Sequence, residues 1–331
     1  MSQQPAAAGG HGNGGHGGGG TAILAALGAN LGIAVLKFVA FAVTGASSML
    51  AEAIHSVADS GNQVLLLVGG RRAKREATRQ HQFGFGRDRY IYSFLVAIVL
   101  FSVGGLFAVY EGVHKLLHPE PLSSPAWALG VLVFAILLEG FSLRTAVKET
   151  AEVKAPGDSY WAFIRHARAP ELPVVLLEDT AALLGLVLAL IGVGLTVLTG
   201  NDIFDGLGTI AIGGLLVAVA AILGVETKSL LVGESATPAD QRSIVAALEA
   251  DGAGVSVIHL RTLHLGPEEL LVAAKIAVAH DDTAASVAGA IDEAEVRVRA
   301  AVPIARVIYL EPDLRRPTGP PASEPSAVRR P

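Results

Sequence analysis

The sequence contains no cysteine in 331 residues. That absence removes structural disulfides, thiolate metal sites and thiol nucleophiles together, leaving imidazole and carboxylate as the only groups suited to a transition metal. Charge is scarce as well. Asp, Glu, Lys and Arg make up 17 % of the chain, against about a quarter in an ordinary soluble domain. The hydrophobic share is 51 % and the mean hydropathy +0.51, a balance that points to a bilayer. A net charge of -5 gives no global basic field, which argues against a nucleic-acid partner. No Lys or Arg precedes Lys37, so the basic region of a cleaved signal peptide is not expected. A phosphate-cradling Gly-rich loop ending in Lys-Ser/Thr is absent, as is His-Glu-x-x-His. Direct ATP hydrolysis and intramembrane metallohydrolysis therefore lack their motifs, and the chain reads as something other than an enzyme.

What is present is a set of long apolar segments. Bilayer-crossing helices need about 20 mostly apolar residues, and residues 22–44, 49–70, 90–117, 126–147, 174–199 and 203–224 each qualify as candidates. The connections alternate in charge. Arg71, Arg72, Lys74, Arg75, Arg79, Arg87 and Arg89 lie between the second and third segments, and Arg144, Lys148, Lys154, Arg165 and Arg168 around the link from the fourth to the fifth. The opposite connections, 45–48, 118–125 and 200–202, hold no Lys or Arg. Basic connections stay on the cytoplasmic side, so both termini are expected there. The expected architecture is an α-helical membrane protein with six transmembrane helices, residues 21–230, followed by a small cytoplasmic α+β domain, residues 235–313.

That last part has its own signals. Thr237-Pro238 offers an N-cap and an N1 proline for a helix to about residue 250. Strands are expected over 255–265 and 270–279, the second with Val272, Ala274, Ile276 and Val278 alternating. A helix over 283–300 and a strand over 304–310 complete an αββαβ, ferredoxin-like order. A domain of roughly 75 residues often leans on a second copy, so a homodimer is expected. Residues 1–20, Gly-rich with His11 and His16, and the Pro/Arg-rich residues 314–331 are expected to be disordered tails.

Ionisable groups inside such segments cost about 2.5–3.5 kcal/mol each on insertion scales. The second segment carries Glu52, His55, Asp59, Asn62 and Gln63. His55 and Asp59, four residues apart, lie about 40° apart around a helix and share one face, with Glu52 on the same stripe. An imidazole and a carboxylate one turn apart can ligate one Zn²⁺ or similar cation. The plainer reading is a hydrogen bond that ties helices together. Glu178 and Asp179 open the fifth segment; a helix-start anchor is the plain alternative there. Because these two point about 100° apart, one faces the second segment and the other is left to assist, to pair with Lys37 or to carry a proton. Asn30, Lys37, Glu111 and Glu139 are further intramembrane candidates, with Glu111 and Lys115 spaced for an edge ion pair.

At these residues the chain resembles the cation diffusion facilitator family, nearest its zinc transporter 9-like branch. The resemblance runs over residues 21–313 and rests on His55-Ser-Val-Ala-Asp59-Ser-Gly-Asn-Gln, Phe83-Gly-Phe-Gly-Arg87-Asp-Arg, Ser93-Phe-Leu-Val-Ala, Gly105-Leu-Phe, Tyr110-Glu-Gly, Leu177-Glu-Asp-Thr-Ala-Ala and Leu265-Gly-Pro-Glu-Glu-Leu-Leu-Val-Ala-Ala-Lys. It implies a metal site of His55, Asp59 and Asp179. The family's second imidazole would stand at Val175, and Glu178 is the candidate replacement. Such an oxygen-rich set keeps Zn²⁺ first but admits Mn²⁺, Fe²⁺ or Co²⁺. The family's metal-binding histidine near the last strand is replaced by Tyr309, ahead of Glu311-Pro312, so His259, His264 and His280 are expected to be surface residues. The resemblance further implies export of a divalent cation from the cytoplasm in exchange for protons, across a plasma (inner) membrane. The rival is a metal-sensing or scaffolding membrane protein that binds without transporting.

Overall fold

A computed structural model describes residues 18–119, 121–250 and 256–314, with side chains from residue 30 onward. The expectations for residues 1–17, His11 and His16 included, and for 315–331 fall outside the described residues, whereas residues 18–20 and Leu314, expected in the tails, belong to a helix and a strand. The chain forms two compact units. Among the described residues, one comprises those up to Leu65 with those of Val96–Val153 and Val175–Ile222; the other comprises Leu66–Leu95, Lys154–Val174 and those from Leu223 onward.

The helices are α1 (Gly18–Thr44), α2 (Ser47–Ala73), α3 (Asp88–Val99), α4 (Phe107–Leu117), α5 (Pro125–Val153), α6 (Tyr160–His166), α7 (Glu171–Thr199) and α8 (Ile203–Val232). A π-helical stretch, Leu100–Leu106, joins α3 to α4. Among the described residues four runs are long and apolar enough to cross a membrane: Asp88–Leu117, α5, α7 and α8, of 30, 29, 29 and 30 residues. At 1.5 Å per residue each reaches about 45 Å, beyond the ~30 Å hydrocarbon core. The other two expected spans are not among these four: within the described side chains α1 contributes the shorter apolar stretch Asn30–Thr44. α2 is 27 residues long but loses apolarity to the polar residues that make it interesting. The short helix α6, capped by Ser159 accepting from the Ala162 N–H, has no counterpart among the expected elements.

In the first unit the helices approach closely where glycine permits. A Cβ on Gly213 of α8 would lie 2.7 Å from the Val109 backbone nitrogen of α4, and one on Gly112 of α4 would lie 2.8 Å from the Gly206 carbonyl of α8. Small residues let backbones touch in this way where no hydrophobic force acts between helices. Polar ties pin the start of α2. Gly45, with φ +67°, turns the chain out of α1, and its carbonyl accepts from Lys115 Nζ at 3.0 Å. The Asp205 carboxylate of α8 accepts from the backbone N–H groups of Ser47 and Ser48 at 2.8 and 3.3 Å, and from their hydroxyls at 3.1 and 2.5 Å. Bulky apolar residues such as Phe141 and Leu198 are exposed, as lipid-facing positions require.

In the second unit, α9 (Pro238–Leu248), β1 (Ser256–Gly266), β2 (Glu269–Val278), α10 (Ala284–Ala301) and β3 (Val307–Leu314) follow in the expected order. β1 and β2 pair antiparallel, β2 and β3 in parallel, giving the strand order β1-β2-β3. Leu270, Val272, Ala274 and Ile276 alternate into a core with Ile244 and Leu248 of α9 and Ala294 and Val298 of α10. Thr237 and Thr283 cap the two helices by accepting from the Asp240 and Ser286 N–H groups, each at 3.1 Å. β3 runs four residues past its expected end and through Pro312, which an edge strand tolerates because one side of its backbone needs no partner.

Candidate metal site

His55 and Asp59 lie one turn apart on α2, His55 Nε2 3.5 Å from Asp59 Oδ2. The imidazole is buried, and neither ring nitrogen has a hydrogen-bond partner; Asp59 Oδ1 is likewise buried without one. Buried polar atoms ordinarily find a partner; here three without one lie together on one helix face. On α7, Glu178 Oε1 accepts from Asn62 Nδ2 of α2 at 2.6 Å. Asp179 Oδ2 accepts from Ser142 Oγ of α5 at 2.8 Å. Thus the two adjacent carboxylates, splayed by the helix as expected, are oriented by donors from two different helices.

Asp59, Glu178 and Asp179 line one cleft at the meeting of α1, α2, α5 and α7. Asn30 and Ile33 contribute from α1, Ser56 and Gln63 from α2, Glu139 and Ser142 from α5, and Val175 from α7. Four carboxylates therefore face one small space, and the family's second-imidazole position is an apolar wall residue. His55 is not among the lining residues. Among the described residues no three His, Asp or Glu side chains already converge at ligand distance. The structure gathers the candidate donors without closing them on one point.

Other expected pairings differ. Lys37 does not reach α7: its Nζ donates to Glu52 Oε2 at 3.0 Å and to Ser56 Oγ at 2.8 Å, all three residues buried. Glu52, although on the His55/Asp59 stripe, is thus committed to Lys37 and does not line the cleft. Glu111 and Lys115 form no ion pair among the described residues; Lys115 turns to the Gly45 carbonyl instead. Glu139 does line the cleft. His259 and His280 are exposed, as expected. His264 is not. It is buried at the end of β1, its Nδ1 3.3 Å from the Gly266 carbonyl, because the hairpin turns its side chain inward. Sequence reasoning missed Ser142 and Asp205. Ser142 follows Glu139 by three residues and so shares its helix face, the one signal that could have found it. Asp205, a carboxylate at the start of a hydrophobic run, carried a helix-start signal of the same kind as Glu178 and Asp179.

The family model for the cation efflux transmembrane domain matches residues 23–232. The chain belongs to the cation efflux family. It is 36 % identical over 241 residues to the protein named "Proton-coupled zinc antiporter SLC30A9, mitochondrial" of Xenopus laevis, an alignment covering 72 % of this chain and 43 % of that one. The Homo sapiens protein of the same name is 37 % identical over 231 residues, 70 % of this chain and 41 % of its own. "Metal tolerance protein C4" of Arabidopsis thaliana is 29 % identical over 256 residues, 77 % and 56 % of the two chains. The matches thus span about half or less of these relatives. Family membership makes this an integral membrane protein of a cation efflux transporter family, in its SLC30A9-like branch.

Proposed function

We propose that the protein moves a divalent metal cation, Zn²⁺ foremost, out of the cytoplasm in exchange for protons, with His55, Asp59, Glu178 and Asp179 as ligands. The observation that carries this is the convergence of Asp59, Glu178 and Asp179 on one cleft, with His55 one turn from Asp59 and both its ring nitrogens unpartnered. Carboxylates must be ionised and an imidazole neutral to ligate a metal, so metal and protons compete for the same atoms. A site with that competition, reached first from one side and then from the other, exchanges one for the other. Lys37 and Glu52 neutralise each other nearby and stay out of the exchange. The names of the relatives, zinc antiporters among them, agree with this cargo.

The oxygen-rich donor set belongs to the same proposal. With Val175 in the wall, one imidazole and two or three carboxylates admit Mn²⁺, Fe²⁺ or Co²⁺ beside Zn²⁺. Six spans with both termini cytoplasmic, a ferredoxin-like C-terminal domain and a homodimer complete the reading. The sequence reading puts the chain in a plasma (inner) membrane, whereas the vertebrate relatives carry "mitochondrial" in their names; cell fractionation decides between the two. The test of function is metal flux into proteoliposomes with internal pH monitored. Wild type should take up Zn²⁺ with opposite proton movement, and Asp59→Ala should abolish uptake while leaving the protein folded in the membrane. Uptake by Asp59→Ala at the wild-type rate refutes the ligand assignment. Binding without flux in wild type supports the rival, a metal-sensing or scaffolding protein.

A further inference from the structure

We propose that the cleft between the α2–α3 connection and the β1–β2 hairpin binds the headgroup of an anionic phospholipid. Its walls come from the second unit alone. The connection lies backbone against backbone on the hairpin: a Cβ on Gly86 would sit 2.8 Å from the Leu265 carbonyl, and one on Gly266 would sit 2.9 Å from Gly86 Cα. Beside this contact opens about 1210 Å³ of empty space, part of it open to solvent. Arg72, Arg75 and Arg87 line it, over an apolar floor that includes Phe83, Leu263 and Leu265.

The charge is unspent. Among the described residues none of these three arginines is ion-paired, whereas Arg89, Arg165 and Arg168 of the same unit each bond a carboxylate, on Glu171, Glu226 and Glu234. One carboxylate, Asp88, is in the wall, so the lining keeps an excess of positive charge. Two of the guanidinium groups are placed by aromatic rings: Arg75 lies 4.7 Å from the Phe85 ring centroid and Arg72 5.9 Å from that of Tyr92. Guanidinium has only donors to offer, and its planar fork matches phosphate oxygens.

Lipid is the occupant that uses both halves of the lining. The bilayer-length run Asp88–Leu117 starts in the wall of this cleft, with Asp88 and Ile91 among its lining residues, which puts the arginines at headgroup level. Clustered basic residues directly beside a membrane helix attract anionic lipid. A free phosphate would use the arginines and leave the apolar floor unused.

The test uses the full chain purified in detergent, titrated with phosphatidylglycerol and with phosphatidylcholine and read by native mass spectrometry and thermal melting. At about fivefold per arginine, phosphatidylglycerol should bind at least about tenfold tighter than phosphatidylcholine. Arg72→Gln/Arg75→Gln/Arg87→Gln should erase that preference. Lys74→Gln/Arg79→Gln, which removes the same kind of charge from the same connection but not from the cleft lining, should keep it. If the triple variant does not fold, Arg75→Gln alone should weaken phosphatidylglycerol about fivefold. Equal binding of the two lipids overturns the proposal. So does equal loss in the Lys74/Arg79 variant, an unchanged affinity in the Arg75 variant, or displacement of the lipid by equimolar inorganic phosphate.

Discussion

Replacing Asp205 by asparagine should destabilise the membrane unit far more than a one-atom change suggests. The carboxylate is fully buried and accepts four hydrogen bonds, two from the backbone N–H groups that open α2 and two from the hydroxyls of Ser47 and Ser48. The hydroxyls can rotate to other acceptors; the N–H groups cannot. The substituted side-chain amide would keep one oxygen and turn an NH₂ group towards donors. One buried N–H would then lose its acceptor, at about 1–3 kcal/mol, and the charge-assisted character of the remaining bonds would go as well. The favourable interaction of a negative charge with the helix start, about 0.3–1 kcal/mol, is lost with it. The expected total is about 2–4 kcal/mol, which for an element of this size lowers the melting temperature by roughly 5–15 °C. The assay is thermal melting of detergent-purified protein, with Asp202→Asn, three residues earlier in the same turn, as the matched control. A melting temperature for Asp205→Asn equal to that of the control would refute the capping account.

Lys37→Met should cost about 3–5 kcal/mol, because Glu52 is then left charged, buried and unpaired. Lys37→Met/Glu52→Gln should recover most of that, and failure of the second change to rescue the melting temperature would mean the pair is not what Lys37 serves. Ser142→Ala removes the donor that orients Asp179 and should weaken Zn²⁺ binding by about tenfold with little effect on melting; unchanged binding would exclude Asp179 as a ligand held in this pose. In the C-terminal domain, burial pushes the His264 imidazole below its usual range, opposed by the Gly266 carbonyl and reinforced by Arg168. The unfolded chain then binds a proton that the folded domain refuses, so stability is full above about pH 6.5 and is lost as pH falls below it. Hydrogen exchange of the β1 and β2 amides in the full chain, corrected for intrinsic rates, should accelerate over that window, and His264→Gln should flatten the response.

Much of the fold is legible in the sequence because its determinants are local. Every expected helix and strand of the C-terminal domain is present within a few residues, since Thr237-Pro238, Thr283 and the alternation along β2 each act within one or two turns. The end of β3 departs from expectation for a reason that is not local. Pro312 looks like a terminator until the strand order makes β3 an edge, and strand order is a property of the assembled sheet. The π-helical stretch at Leu100–Leu106 has no signal in the alternation of apolar residues, and the inward turn of His264 depends on the hairpin around it.

The candidate site divides along the same line. His55 with Asp59 can be read from a spacing of four on one helix, and Glu178 with Asp179 from their cost in an apolar run. What cannot be read is which carboxylate each distant helix holds in place. Lys37 is free in sequence to serve any of five acids, and it serves Glu52 because α1 and α2 are adjacent across the Gly45 turn. That choice has a chemical consequence. Lys37 is bonded to Glu52 and to none of Asp59, Glu139, Glu178 and Asp179, and among the described residues no Lys or Arg lines the cleft that gathers those four carboxylates. Under the proposed function a divalent ion and protons occupy that cleft in turn, and the two exclude each other there because they need the same oxygen atoms.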